Sequence, residues 1–201
     1  MCFLARPSEA YRDSFLSGAA EFCAEGRPDS TYAEFLGYDL VSLERYFGEF
    51  VRDLLNLDSD TSLPRGWQAD RVFCLISQDG YLGQTSVRPQ LSSRYLLTYG
   101  GHIGYSIRPS RRRQGYGTKI LALALEQARL LGLQRVLVTC NSDNIPSRKI
   151  IEHNGGRFES SMVMPAHLLR AEGRPAKGRV DKLRYWIDLV KEPEALDRQT
   201  A

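Results

Sequence analysis

The sequence predicts an α/β protein of the α+β kind: a mixed, mostly antiparallel sheet of seven strands, with a parallel pair at its centre, flanked by about four helices. Two observations carry this. From Arg71 the apolar periodicity is two, and the runs Val72–Ile76 and Tyr81–Val87 flank Asp79-Gly80, a hairpin signal with positive φ in the turn. Further on, an apolar run ending at Arg108 is followed by a basic glycine turn, a helical pattern and a second apolar run, Gln134–Cys140. Such a crossover returns the chain parallel to the strand it left.

The remaining elements fall around these two units. Cys2–Ala5 reads as an N-terminal strand closed by Arg6-Pro7. Ser8 caps a helix in which Tyr11, Phe15, Ala19 and Phe22 recur at helical spacing up to Gly26. A second helix is expected over 40–57, with Leu43, Phe47, Phe50, Leu54 and Leu55 on one stripe. Its aromatic content fits core packing, or alternatively one wall of a substrate pocket. The third strand of a meander enters through Tyr95–Tyr99 and Gly100-Gly101 and ends at Arg108-Pro109. Gly132 terminates the crossover helix. Asn144-Ile-Pro-Ser opens a short helix that Gly155-Gly156 ends, and strands follow at 157–164 and 180–189. Residues 165–178 read as an exposed loop and 191–201 as a frayed tail.

Length and composition bound the function. The 201 residues, with 42% hydrophobic and 25% charged, make one globular domain, taken as 1–190 with 191–201 as the tail. A net charge of +3 does not demand nucleic acid as a partner, and neither of the two locally basic stretches, 108–119 and 170–184, interleaves the aromatics of a base-stacking surface. Cys2, Cys23, Cys74 and Cys140 form no close pair, so neither a disulfide framework nor a zinc ribbon is expected. No metal site is predicted. The start lacks a signal peptide, and no apolar stretch is long enough for a membrane, so a soluble cytoplasmic protein is expected.

The chemistry centres on Arg111-Arg112-Arg113-Gln114-Gly115-Tyr116-Gly117-Thr118. Backbone N–H groups of such a turn and of the helix it opens converge on one spot, where the helix dipole adds positive potential. The ligand is an anion. A P-loop is excluded, because Thr118 precedes Lys119 and no glycine stands at the required distance. A dinucleotide fingerprint is excluded as well: position 120 is Ile120 and no acidic residue follows at the next strand's end. What remains is Arg112-x-x-Gly115-x-Gly117 at a strand–helix junction.

In this context the sequence resembles the GNAT superfamily of N-acetyltransferases, whose pyrophosphate signature, Gln/Arg-x-x-Gly-x-Gly/Ala, lies between the fourth strand and the third helix. The order of elements matches over nearly the whole chain. The likeness is sharpest over 101–158, where the second family piece appears as Val138-Thr-Cys-Asn-Ser-Asp-Asn144-Ile-Pro-Ser147. The segment Gly-Gly-His-Ile-Gly-Tyr-Ser-Ile-Arg-Pro-Ser, 100–110, is similar to a subgroup of predicted acetyltransferases without assigned substrates.

The resemblance implies the GNAT fold, with its central parallel strands splayed, and acetyl-coenzyme A as the acyl donor. Arg112, Arg113, Gln114, Gly115, Tyr116, Gly117 and Thr118 would hold the pyrophosphate, the glycines allowing close approach. The backbone at Ile107 and Arg108 would pair with the pantetheine amides, and Asn144 and Ser147 would contact the cofactor arm, with helix capping as their other reading. The reaction would be direct attack of a primary amine on the thioester, the oxyanion held by a backbone N–H near Ile107. Where many relatives carry a glutamate base this chain has Gly101-His102, which makes His102 the candidate base, a structural histidine being the alternative. The family's acid, a tyrosine seven residues after the asparagine, is here Ile151. Cys140, Ser142, Tyr105 or a water stand as its replacements, with Cys140 otherwise a small core residue.

The acceptor stays open among a small amine, an amino acid and a protein amine, and a homodimer is left open too. A competing reading is a coenzyme-A-binding sensor or scaffold with little catalysis.

Overall fold

Strand and helix junctions fall where the punctuation residues put them, with one long exception at residues 95–100. The computed structural model describes residues 1–58, 69–171 and 180–190. The expected tail 191–201 and the second half of the expected loop 165–178 lie outside the described residues.

The strands are β1 (Cys2–Ala5), β2 (Arg71–Ser77), β3 (Gly80–Val87), β4 (Ile103–Ile107), β5 (Arg135–Asn141), β6 (Arg157–Val163) and β7 (Asp181–Asp188). The helices are α1 (Arg12–Ala24), α2 (Leu40–Arg45), α3 (Phe47–Asn56), α4 (Tyr116–Leu130), α5 (Ile145–His153) and α6 (Ala166–Ala171). The 40–57 helix is thus divided at Tyr46, whose N–H closes α2 on Ser42 and whose carbonyl starts α3 by accepting from Glu49 and Phe50. Asp39 and Ser42 form a reciprocal capping box at the start of α2. Part of the expected 165–178 loop is helix α6.

The β2–β3 hairpin forms as predicted, with Gly80 at φ 91°. A Cβ there would meet Ser14 of α1 at 2.6 Å, and Ser14 Oγ accepts the Tyr81 N–H at 3.1 Å. The hairpin end is therefore docked on α1. Both faces of β2 are covered, which is why its sequence is nearly all apolar. On one face Phe15 meets Phe47, Phe50 and Tyr81 at ring-centroid distances of 5.6, 5.4 and 4.8 Å. On the other side of the molecule Leu121, Ala124, Leu125 and Ala128 of α4 pack with Val136, Val138, Tyr185 and Ile187. Each large apolar side chain buried this way contributes about 1.5–3 kcal/mol.

Two strand expectations are corrected. The seven strands form two antiparallel ladders, β1-β2-β3-β4 and β5-β7-β6, instead of one continuous sheet. Among the described residues β4 and β5 share no parallel ladder; one bridge, Gly101 to Val138, joins the two halves. The cause is local. Gly101, at φ 80°, approaches Leu137 so closely that a Cβ would lie 2.6 Å from its carbonyl oxygen. Beyond it, the Leu137 N–H that a strand neighbour would use is taken by the His102 ring at 2.9 Å. The entry to β4 is thus joined to the middle of β5 at Leu137 and Val138, and no ladder continues from that junction.

The second correction concerns Tyr95–Tyr99, which is no strand. Leu96–Gly100 forms a π-helical turn. Ser93 Oγ accepts the Leu96 N–H, Thr139 donates to the Tyr99 and Gly100 carbonyls at 2.7 and 3.1 Å, and Arg184 donates to the Leu97 and Thr98 carbonyls. Side chains of β5 and β7 thus satisfy carbonyls that a strand would have paired, and the apolar run is diverted into a turn.

Candidate functional site

The basic turn is built from backbone conformation first. Arg113 (φ 59°) and Gly115 (φ 81°) both occupy the left-handed region, on either side of Gln114. Gly115 is the N-cap of α4, and no side chain caps that end. The first N–H groups of α4, at Tyr116, Gly117 and Thr118, therefore face outward with the positive end of the helix dipole. A Cβ on Gly115 would meet nothing within 4 Å, so this glycine serves its φ angle. Gly117 serves packing: a Cβ there would sit 2.5 Å from Ile150 Cδ1, which lets α5 lie close against α4. Asn154 of the α5 cap donates to the Thr118 carbonyl at 3.3 Å and ties the two together.

The arginines divide into two kinds. Arg108 donates to Glu21 at 2.8 Å and to Ser17 at 2.7 Å, with its side chain largely buried against α1. Arg112 grips Glu25 through both terminal nitrogens at 2.9 and 2.8 Å, and its Nε donates to the Ile107 carbonyl at 3.0 Å. These two guanidinium groups fasten the turn to α1 and are not free for an anion. Gln114 likewise turns back to the Ser110 carbonyl at 3.3 Å. Arg113 and Lys119 are exposed and make no side-chain bond among the described residues, so they are the cations left for a ligand.

Beside this turn opens the gap between β4 and β5. Arg108 N–H bonds Leu82 and Arg88 N–H bonds the His102 carbonyl, which fixes the even-numbered residues of β4 as those paired with β3. By alternation the backbone groups of Ile103, Tyr105 and Ile107 face the gap. Across it lie Cys140, 5% exposed, and Ser147. The Tyr105 hydroxyl is 2.8 Å from Ser147 Oγ, and burial pushes the Tyr105 phenol above its ordinary range, so it keeps its proton at neutral pH. Burial also pushes the Cys140 thiol up to about 11, the Ser147 contact opposing. That thiol is protonated and a poor nucleophile. The Asn144 side chain accepts from the Ser147 N–H at 3.2 Å and caps α5. Ile151 is fully buried in the core on the same helix, so the position has become packing.

His102 has a different place from the one its residue type suggests. Its Nδ1 accepts the Leu137 N–H, and the proton of the neutral ring is therefore on Nε2. Neither nitrogen keeps a free lone pair. Burial, with Arg88 and Arg135 adding to it, pushes the ring down to about 4. This geometry makes His102 a tie between the entry to β4 and Leu137 of β5, and argues against its use as a base.

A second feature was not visible in the spacing of the sequence. On the α1–α3 side of the sheet a cavity of about 570 Å³ lies between the turn at Pro28–Thr31, β3, β4 and the π-helical turn. Its floor is a buried polar cluster. Arg88 pairs with Asp70 at 2.8 Å, Tyr32 donates to the same Asp70 oxygen, and Arg88 also donates to the Tyr32 hydroxyl at 3.0 Å. Ser86 Oγ lies 2.9 Å from that hydroxyl. Burial disfavours the Arg88 charge, but Tyr32 and Asp70 more than offset this and hold it protonated. Burial, with the Asp70 charge, keeps the Tyr32 phenol protonated. Breaking such a buried pair by removing one partner costs about 3–5 kcal/mol. The cluster draws on three separate segments, and only position-by-position folding reveals it.

Among the described residues no group of His, Cys, Asp and Glu is close enough to hold a metal, and no helix is long and apolar enough to cross a membrane.

Comparison with known proteins bears on this arrangement. Residues 21–157 match the family model described as Acetyltransferase (GNAT) domain. By sequence, no curated relative matches the chain. In fold it is similar to the microcin C7 self-immunity acetyltransferase MccE, solved with acetyl-CoA and AMP (TM-score 0.61, 13% identity, 93% of this chain and 92% of that one). It is also similar to Mycobacterium smegmatis RimJ in complex with CoA-disulfide (TM-score 0.61, 19% identity, 92% and 80%). A third is RimL, a ribosomal L7/L12 alpha-N-protein acetyltransferase, in complex with coenzyme A (TM-score 0.60, 15% identity, 92% of each chain). The family match runs from the C-terminal half of α1 to the start of β6, through the uncapped α4 turn and the splayed strands, and the chain belongs to the GNAT acetyltransferase family.

Proposed function

We propose that this protein moves an acetyl group from acetyl-coenzyme A to a primary amine by direct attack in a ternary complex. The observation that carries the reading is the uncapped start of α4, opened by two left-handed residues and lying beside the β4/β5 gap. The pyrophosphate sits on the N–H groups of residues 113–118, with Arg113 and Lys119 on its oxygens. The pantetheine follows the gap-facing backbone of Tyr105 and Ile107. Three similar structures are described as complexes with acetyl-CoA, coenzyme A or CoA-disulfide, which supports this choice of donor.

The amine nitrogen attacks the thioester carbon, the C–S bond breaks, and the Ile107 N–H stabilises the developing oxyanion. A thiolate leaves. Tyr105, protonated and linked to Ser147, gives its proton to the sulfur and takes back the one the nitrogen sheds as the amide forms, standing in for the family's tyrosine where this chain has Ile151; the amine reacts as the free base, its ammonium proton having passed to water. Cys140 contributes packing and polarity to the channel and forms no acyl intermediate. Residues 1–190 act as one N-acetyltransferase domain of the GGHIGYSIRPS-bearing subgroup. The free cysteines suit a reducing cytoplasm.

Incubation with acetyl-coenzyme A and a panel of amines, with release of free thiol as the readout, tests the reading. Acceptor-dependent thiol release is expected. Tight coenzyme A binding with no turnover on any amine would instead leave a cofactor-binding module.

A further inference from the structure

The α1–α3 side cavity carries more information than its position. Three oxygen atoms of residues lining it, Asp70 Oδ1, Gln84 Oε1 and Ser30 Oγ, are buried without a hydrogen-bond partner among the described residues. Their residues are 7%, 3% and 8% exposed. Buried acceptors are nearly always paired, so three around one cavity mark a place where something donating hydrogen bonds belongs.

Asp70 is aimed. Its Oδ2 is held by Arg88 and Tyr32, which prevents the carboxylate from turning and leaves Oδ1 as the free oxygen. Arg88 is in turn fixed to the β4 entry: its N–H bonds the His102 carbonyl and its Nη1 the Gly101 carbonyl at 3.4 Å. Gly104 and Ser106, which also line the cavity, stand opposite Ser86 and Gln84 on β3. A ligand seated here therefore lies along the strand whose Ile107 N–H faces the donor.

Charge then narrows the ligand. Among the described residues, the cationic and anionic side chains lining the cavity are Arg27, Arg88 and Asp70. Arg88 and Asp70 neutralise each other, and Arg27, exposed at the rim, has no side-chain partner among the described residues. A bare ammonium would add positive charge to a lining that is already positive. An ammonium that brings its own acid adds none, and places its acid within reach of Arg27.

We propose that the acceptor is a small zwitterionic amine of the amino-acid type, its ammonium donating to Asp70 Oδ1 and Gln84 Oε1 and its acidic group held by Arg27. This rests on the acetyltransferase reading above. It makes Asp70 and Arg27 the determinants of specificity.

The experiment compares thiol release from acetyl-coenzyme A with free α-, β- and γ-amino acids, their carboxamides, simple alkylamines, a polyamine and a short peptide with a free N-terminus. An amino acid is expected to exceed its own carboxamide in kcat/KM by about tenfold or more, since a charged partner left unmatched costs at least that much. Arg27→Ala should bring the acid-to-amide ratio close to one. Asp70→Asn should lower kcat/KM for both by about 100-fold, mostly in KM, with coenzyme A affinity by calorimetry retained. Should Asp70→Asn not fold, Gln84→Met, which removes an acceptor without freeing Arg88, is expected to raise the acceptor KM about tenfold. Equal turnover of acids and amides, a ratio unmoved by Arg27→Ala, or preference for the peptide or polyamine would overturn this proposal and leave the acetyltransferase reading standing. Absence of turnover on every amine would overturn both.

Discussion

The turn that opens α4 and the cavity behind β3 and β4 prepare for their ligands by opposite means. At the turn the recognising groups are backbone N–H donors, set by two left-handed residues and an uncapped helix, while its two most deeply engaged arginines are spent on α1 carboxylates. In the cavity the recognising groups are side-chain oxygens, buried and unpaired, with one carboxylate held from behind by an arginine and a tyrosine. The first site offers donors to an anion; the second offers acceptors to a cation. Tyr105 and the backbone of β4 lie between the two, so in the proposed reaction the strand is where donor and acceptor would meet.

Tyr105→Phe tests that shared position most strongly. With the phenol gone, kcat should fall about 100-fold while the acetyl-coenzyme A KM stays within a factor of about two, as expected for loss of an acid used only in the transition state. Steady-state thiol release checks it, and a fall under threefold would move proton delivery elsewhere.

The two kinds of arginine separate next. Arg108→Ala strands Glu21 in a partly buried place and should cost about 2 kcal/mol in urea unfolding. The double change Arg113→Ala with Lys119→Ala should leave the urea midpoint alone and weaken coenzyme A about tenfold, more at low salt than at high. If Arg108→Ala instead spared stability and abolished cofactor binding, the division would be reversed. Gly115→Ala should cost about 1 kcal/mol from φ alone, because a methyl has open space there.

The smallest effect on catalysis belongs to His102. Its ring is held neutral in the fold, pushed from 6.5 to about 4. Above 6.5 the contribution is complete; as pH falls toward 4 the unfolded chain binds a proton that the fold excludes, and stability is lost. Urea midpoints measured from pH 7 to 4 should decline through that window in the native chain and less steeply in His102→Gln, which keeps an acceptor for Leu137. The acid limb of the pH–rate profile should be the same in both. Its disappearance in the variant would restore His102 as the base.

The unequal legibility of the two sites follows from their construction. The α4 turn is one contiguous segment, so the spacing of Gly115 and Gly117 and the start of a helix are readable in the chain. Even there the sequence did not say which arginines would turn back, because Glu21 and Glu25 lie on a helix nearly 90 positions away. The cavity joins Arg27, Tyr32, Asp70 and Arg88 from segments with no common period, and its key property, an oxygen left unpaired, exists only after folding. The Leu96–Gly100 turn was misread for a related reason: its apolar residues have a strand's composition, and the side chains that divert them, Thr139 and Arg184, come from β5 and β7.

In the proposed complex, coenzyme A occupies the turn and the gap, and the cavity is reserved for the amine. Amide ¹H–¹⁵N shifts on titration with coenzyme A alone test it directly. Large shifts are expected at Arg113 to Thr118, Ile107 and Ser147, and small ones at Ser30, Asp70 and Gln84. Shifts concentrated at Ser30, Asp70 and Gln84, with the α4 turn unmoved, would contradict it.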